Sequence, residues 1–254
     1  MAGIIKGLIS FLVISLSLFL LSSFIFSFSF ANSISEEVLK PSLTQLFLAS
    51  MNGEADLSSQ YTELEQICDG KEEINLPLSK SGDDFLQINC KELKTAGKGG
   101  INKFISESMF EKLYYTEYEC VFFDCFKNSF NSSFLFSKKC QDVTLKLSYI
   151  LLAVLILLLL FFSPLLKIRK ISWIFLLNGL SSLGFFVKPK ILSNLSKTQF
   201  SGLDLFVSSF LDYFFILCCI SLGVGLILLI ISKILQKKLP EIKQKTKQKT
   251  RKKR

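Results

Sequence analysis

The chain has 254 residues, half of them apolar, and 30 Lys+Arg against 21 Asp+Glu give it a formal net charge of +9. Mean hydropathy is +0.43, and the apolar residues collect in four long blocks, which excludes an ordinary soluble domain and puts membrane class ahead of any fold question. Histidine is absent, which removes the commonest general base and transition-metal ligand, so neither an enzyme nor a cofactor or metal centre is expected.

The net charge conceals a segregation. Residues 31–145 carry 11 Lys against 18 acids, a net of −7, while the rest carries 19 Lys+Arg against 3 acids, a net of +16. Acidic and basic parts separated in this way are expected to face different compartments.

Block one, Leu8 to Ala31, is "LISFLVISLSLFLLSSFIFSFSFA". It exceeds the roughly 20 residues that a helix needs to cross about 30 Å of hydrocarbon. Residues 1–31 are therefore expected to form a retained anchor. The rival reading is a cleaved signal peptide, with Lys6 as a sparse basic region and "SFA" at Ser29 to Ala31 as the small-x-small site.

Residues 32–146 are expected to form a small extracytoplasmic domain, mostly helical with a minor β part. Pro41 can open a helix with Leu43, Leu46, Phe47 and Met51 on one face. Leu57, Tyr61, Leu64 and Cys68 repeat that spacing. "INLPL" and "FLQIN" flank "SKSGDD" (Ser79 to Asp84) as a hairpin, and "TAGKGG" (Thr95 to Gly100) breaks the chain. From Ile101, positions Ile105, Met109 and Leu113, then Tyr114, Tyr118, Phe122 and Phe126, mark a longer helix whose stripe drifts as a 3.6-residue period requires. Aromatic residues crowd the approach to block two, so this face suits a core or a membrane surface.

Five of the seven cysteines, Cys68, Cys90, Cys120, Cys125 and Cys140, lie in this segment, as in an oxidising compartment. The preferred pairing is Cys68–Cys90, stapling the second helix to the end of the hairpin. A second bridge joins Cys140 to Cys120 or Cys125. Cys120 and Cys125 would not pair with each other, being five apart on the expected helix. A four-cysteine zinc site lacks a Cys-x-x-Cys knuckle.

Block two, Leu147 to Leu166, and block four, Tyr213 to Ser232, pass the length test for a span. Block three, Ile171 to Val187, has only 17 residues and contains Asn178, Gly179, Ser181, Ser182 and Gly184. Parity argues that it crosses. "KIRK" (Lys167 to Lys170) and the tail 233–254, with 11 Lys+Arg, both belong on the cytoplasmic side by the positive-inside rule. They share a side only if blocks three and four cross once each. The result is a four-span helical membrane protein with spans 147–166, 171–187 and 213–232 after the first, an outer loop 188–212, and both ends cytoplasmic. Asn131 and Asn194, the only Asn-x-Ser/Thr acceptors, both fall on segments placed outside and are glycosylation candidates.

The tail is first a topology marker and second a contact for anionic lipid headgroups. Its "KQKT-KQKT" repeat reads as disordered, and no aromatics interleave to stack bases, so nucleic acid is not an expected partner. None of the four apolar cores contains an ionisable group of the kind transporters use. Asn178, Ser181 and Ser182 form a polar face on block three, for interhelical hydrogen bonds or a pore lining. Ser221 and Gly225 form a small-xxx-small packing seam on block four, and Cys218 and Cys219 are packing residues.

No catalytic or nucleotide motif appears, and Trp173, the only tryptophan, lies in block three rather than in the first outer segment, unlike the claudin pattern. The expected role is a non-enzymatic scaffold, adhesion element or accessory subunit whose outer domain binds a membrane or extracytoplasmic protein. The alternative is a homo-oligomeric pore lined by Asn178, Ser181 and Ser182.

Overall fold

The structure, a computed structural model, describes residues 2–54, 57–77, 85–118, 132–162, 168–180 and 204–251. In chain order the elements are α1 (Ala2–Ser33), α2 (Glu36–Glu54), α3 (Leu57–Ile67), β1 (Glu73–Pro77), β2 (Phe85–Asn89), α4 (Cys90–Tyr115), α5 (Ser132–Leu135), α6 (Lys138–Phe162), α7 (Ile168–Leu180) and α8 (Asp204–Arg251). Among the described residues, three helices are long and apolar enough to cross a membrane: Ile4–Ser33, Lys138–Phe162 and Asp204–Leu235. At about 1.5 Å per residue each exceeds the thickness of the hydrocarbon core, whereas the 13 residues of α7 reach only about 20 Å. The remainder of block three, 181–187, lies outside the described residues.

The chain divides into two compact units. The first takes its described residues from 1–29, 145–186 and 211–254. Its core joins four helices: Leu20, Leu21 and Ile25 of α1, Leu155 of α6, Ile174 of α7 and Cys218 of α8. Two buried serines of α1 cost little, because their hydroxyls bond back to the preceding turn. Ser17 Oγ donates to Val13 O at 2.7 Å and Ser29 Oγ to Ile25 O at 2.7 Å, so neither hydroxyl is left needing water. Other large apolar side chains point outward. Phe11, Phe19, Leu157, Phe161, Ile220 and Ile227 are all exposed.

The second unit takes its described residues from 30–144 and 187–210. The hairpin expected around "SKSGDD" forms as an antiparallel pair, Glu73 facing Asn89 and Pro77 facing Phe85; the turn itself lies outside the described residues. Alternation sends Leu86 and Ile88 inward, where they join Leu64, Cys68, Ile74, Cys90, Leu93, Ile101 and Ile105 in one core. Helix α4 starts directly after β2 because Asn89 caps it, its Oδ1 accepting from Lys91 N at 3.0 Å and Glu92 N at 3.3 Å. The break expected at Thr95–Gly100 is a kink at Gly97, whose φ of 64° suits glycine. Leu39 and Leu43 of α2 pack on Phe110 and Tyr114 of α4 in a second cluster.

Four expectations need correction. Helix α2 opens at Glu36, not Pro41, which lies inside it; the acidic pair Glu36 and Glu37 suits the positive end of the helix dipole. Helix α4 stops at Tyr115 instead of carrying its stripe through Tyr118. Thr116 is extended, with ψ 127°, and its hydroxyl donates to Lys112 O, while Tyr118 meets Phe134 edge-on at 5.3 Å. Cys140 is a free, buried thiol rather than half of a second bridge, because its face of α6 packs with Ile34 and Phe134 and its Sγ lies 3.9 Å from Thr144 Oγ1. Finally, the α8 backbone continues to Arg251 through the tail that reads as disordered, where Lys and Gln are good helix formers.

Candidate functional site

The polar residues of the first unit converge on α7. Asn178 is buried, 5% exposed, and its Oδ1 accepts from Ser22 Oγ of α1 at 2.6 Å while its Nδ2 donates to Ile174 O at 3.3 Å. Both ends of the amide are therefore occupied within the protein. One end of α7 is held on α1 as well, Lys170 Nζ donating to Ser10 Oγ at 2.7 Å.

On its other side α7 meets α8 through glycines on both helices. A Cβ on Gly179 would lie 2.7 Å from Leu222 Cα, and one on Gly225 would lie 2.8 Å from Leu176 N and 3.1 Å from Ser172 O. Such separations are possible only without side chains, which is why small residues mark helix seams in lipid. Beside these contacts Ser221 Oγ donates to Phe175 O at 2.9 Å. The order of contacts, Gly179 with Leu222 and Leu176 with Gly225, makes the two helices antiparallel. The Ser221/Gly225 seam thus meets α7, and Asn178 lies one residue from the glycine that receives α8. Ser181 and Ser182 lie outside the described residues. Sequence reasoning missed Gly179, Ser22, Ser10 and Lys170 as participants.

In the second unit Cys68 and Cys90 form the expected disulfide, with Cα atoms 5.4 Å apart. It ties the end of α3 to the start of α4, and Cys90 N donates to Glu72 O at 2.9 Å, prolonging the hairpin ladder to the bridge itself. The C-terminal end of α4 carries an aromatic and charged cluster. Phe110 stacks on Tyr114 at 5.2 Å, Tyr114 OH donates to Gln141 Oε1 at 2.7 Å, Tyr115 OH donates to the Glu36 carboxylate, and Lys138 Nζ stands 5.2 Å from the Tyr115 ring centroid. Burial, then the nearby Glu36 carboxylate, pushes the Tyr114 hydroxyl up to about 12. These groups hold α2, α4 and α6 together.

Among the described residues no three His, Cys, Asp or Glu side chains gather as ligands for an ion. Cys120, Cys125, Asn131 and Asn194 lie outside the described residues. Compared with known protein families, curated proteins and solved structures, the chain matches none. Its function is therefore argued from its own geometry.

Proposed function

We propose that this is a four-span membrane protein with both ends cytoplasmic and residues 32–146 outside, acting without catalysis as a scaffold, adhesion element or accessory subunit. The observation that carries the reading is that the bundle spends its polar groups on itself. Asn178 is bonded to Ser22 and to its own helix, and Ser221 to the α7 backbone. A lumen lined by Asn178 requires that amide to face water, so the pore alternative has to break the bond to α1 first. Antiparallel pairing of α7 with α8 supports a crossing by each.

The same contacts support retention of α1. It supplies the partner of Asn178 and part of the bundle core, and its would-be cleavage site is helical, with Ser29 and Ala31 both fully buried. The outer unit, stapled by Cys68–Cys90, is the part suited to meet a protein partner, and the basic tail a surface of anionic lipid.

Gentle extraction into nanodiscs followed by native mass spectrometry tests the proposal. A stoichiometric second protein supports the accessory role. A closed homo-oligomer that conducts ions in planar bilayers overturns it.

A further inference from the structure

The first unit has a strongly one-signed end. Lys6 stands one turn from Ser10 on α1, and Ser10 accepts from Lys170, so Lys6 and Lys170 adjoin. Arg169 precedes Lys170 in the first turn of α7, where there is no acid and the helix dipole adds to the positive field. Because α8 runs antiparallel to α7 and Gly225 is level with Ser172, Lys233 lies toward this same end. At about 1.5 Å per residue it is only about 8 Å further along the axis than Arg169. Lys6, Arg169, Lys170 and Lys233 are all exposed. The segments that form this unit contain just two acids, Asp212 and Glu241. Asp212 is about 31 Å from Lys233 along α8 by the same rise, at the far end of the bundle.

Four cations from three helices without an acid among them repel one another unless an anion joins them. Their position says which anion. They form the rim of the exposed apolar surface: on the bundle side of them Leu8 and Phe11 on α1, Leu177 on α7, and Ile230 and Ile231 on α8 are exposed. Trp173, 47% exposed, stands one turn from Arg169, and tryptophan marks the headgroup level of a bilayer. A ligand that meets cations at one end and apolar side chains directly below is a phospholipid.

We propose that Lys6, Arg169, Lys170 and Lys233 form a binding site for the phosphate headgroup of an anionic phospholipid, with Arg169 supplying planar paired donors and the lysines point charges. Lys170 is held in place by Ser10. The site is separate from the tail beyond Leu235, and it rests on reading this bundle as embedded with this end cytoplasmic.

The test uses the full chain in nanodiscs of phosphatidylcholine with or without one-quarter phosphatidylglycerol. Native mass spectrometry counts the lipids that remain bound after release. The wild type is expected to keep phosphatidylglycerol in preference to phosphatidylcholine. The double variant Arg169→Gln/Lys170→Gln is expected to lose that preference by about 30-fold, at roughly 1 kcal/mol per basic residue. A chain with the lysines at 237, 238, 243 and 245 changed to Gln is expected to retain it. Equal retention by the double variant, or loss with the tail variant alone, overturns the site. So does displacement of the lipid by millimolar inorganic phosphate, which would make the ligand a free anion. A chain that inserts but holds no anionic lipid overturns this inference alone; one that fails to insert overturns the membrane reading as well.

Discussion

The two units of this molecule are built with opposite polarity. In the second, Leu86, Ile88, Leu93 and Ile101 are buried while Lys91, Glu92, Lys94 and Lys103 are exposed, the arrangement that water imposes. In the first, Ser10, Ser17, Ser172, Asn178 and Ser221 are buried while Phe11, Phe19, Phe161, Ile220 and Ile227 face out. Hydrocarbon offers no hydrophobic drive for helices to associate, so close backbone approach and interhelical hydrogen bonds must do it. One chain thus obeys two packing rules, and each rule predicts a different kind of fragile residue.

The largest effect is expected in the second unit. Changing both Cys68 and Cys90 to Ala opens a loop closed across 22 residues, which the chain-entropy account values at about 3 kcal/mol. Pulse proteolysis of the full chain in urea should show early cleavage between residues 60 and 105; an unchanged midpoint would break the comparison, since the core would then suffice without its staple. In the bundle the matching test adds volume instead of removing a bond. Gly225→Leu forces a side chain against the α7 backbone and is expected to cost about 1–3 kcal/mol or more, read as a lower melting temperature in nanodiscs, with Gly225→Ala intermediate. A neutral result would mean that α7 and α8 do not touch there.

Asn178→Leu removes the bond to Ser22 and should cost less, about 0.6 kcal/mol and at most about 1.7. Ser22→Ala should match it, and the double variant should cost no more than either single one. Additive losses would show that the two side chains are not partners.

A further effect is a pH dependence in the second unit. Tyr114 is held protonated up to about 12, above the ordinary tyrosine value of about 10. Between those values the unfolded chain has lost a proton that the folded one keeps, so the stabilisation is complete below about pH 10 and drains away as pH rises toward 12. Tyr114→Phe should flatten the stability curve in that window. A variant whose curve still falls as steeply would place the cause elsewhere.

What was legible in the sequence was local. Uninterrupted apolar runs disclose α1, α6 and α8, alternation discloses the hairpin, and Cys68 lies close enough to the hairpin end to find Cys90. Pairings that join distant elements were not legible. Ser22 and Asn178 are 156 residues apart, and nothing in α1 distinguishes Ser22 from its neighbouring serines until α7 is beside it. Gly179 lacked a side chain to weigh, and its role appears only against Leu222. The aromatic stripe misled at Tyr115 because periodicity continues in the sequence after Thr116 has turned the backbone.

The central claim is that the two units are folded against different solvents. It is tested most directly by carbene footprinting of the full chain in nanodiscs, once with a lipid-borne and once with a water-soluble diazirine, read residue by residue by mass spectrometry. The account predicts lipid-borne label on Phe11, Phe19, Phe161 and Ile220, aqueous label on Lys91, Glu92, Lys94 and Lys103, and neither on Ile25, Ile174 or Leu86. Aqueous labelling of Phe11, Phe19, Phe161 and Ile220, with no lipid-borne label there, would contradict it.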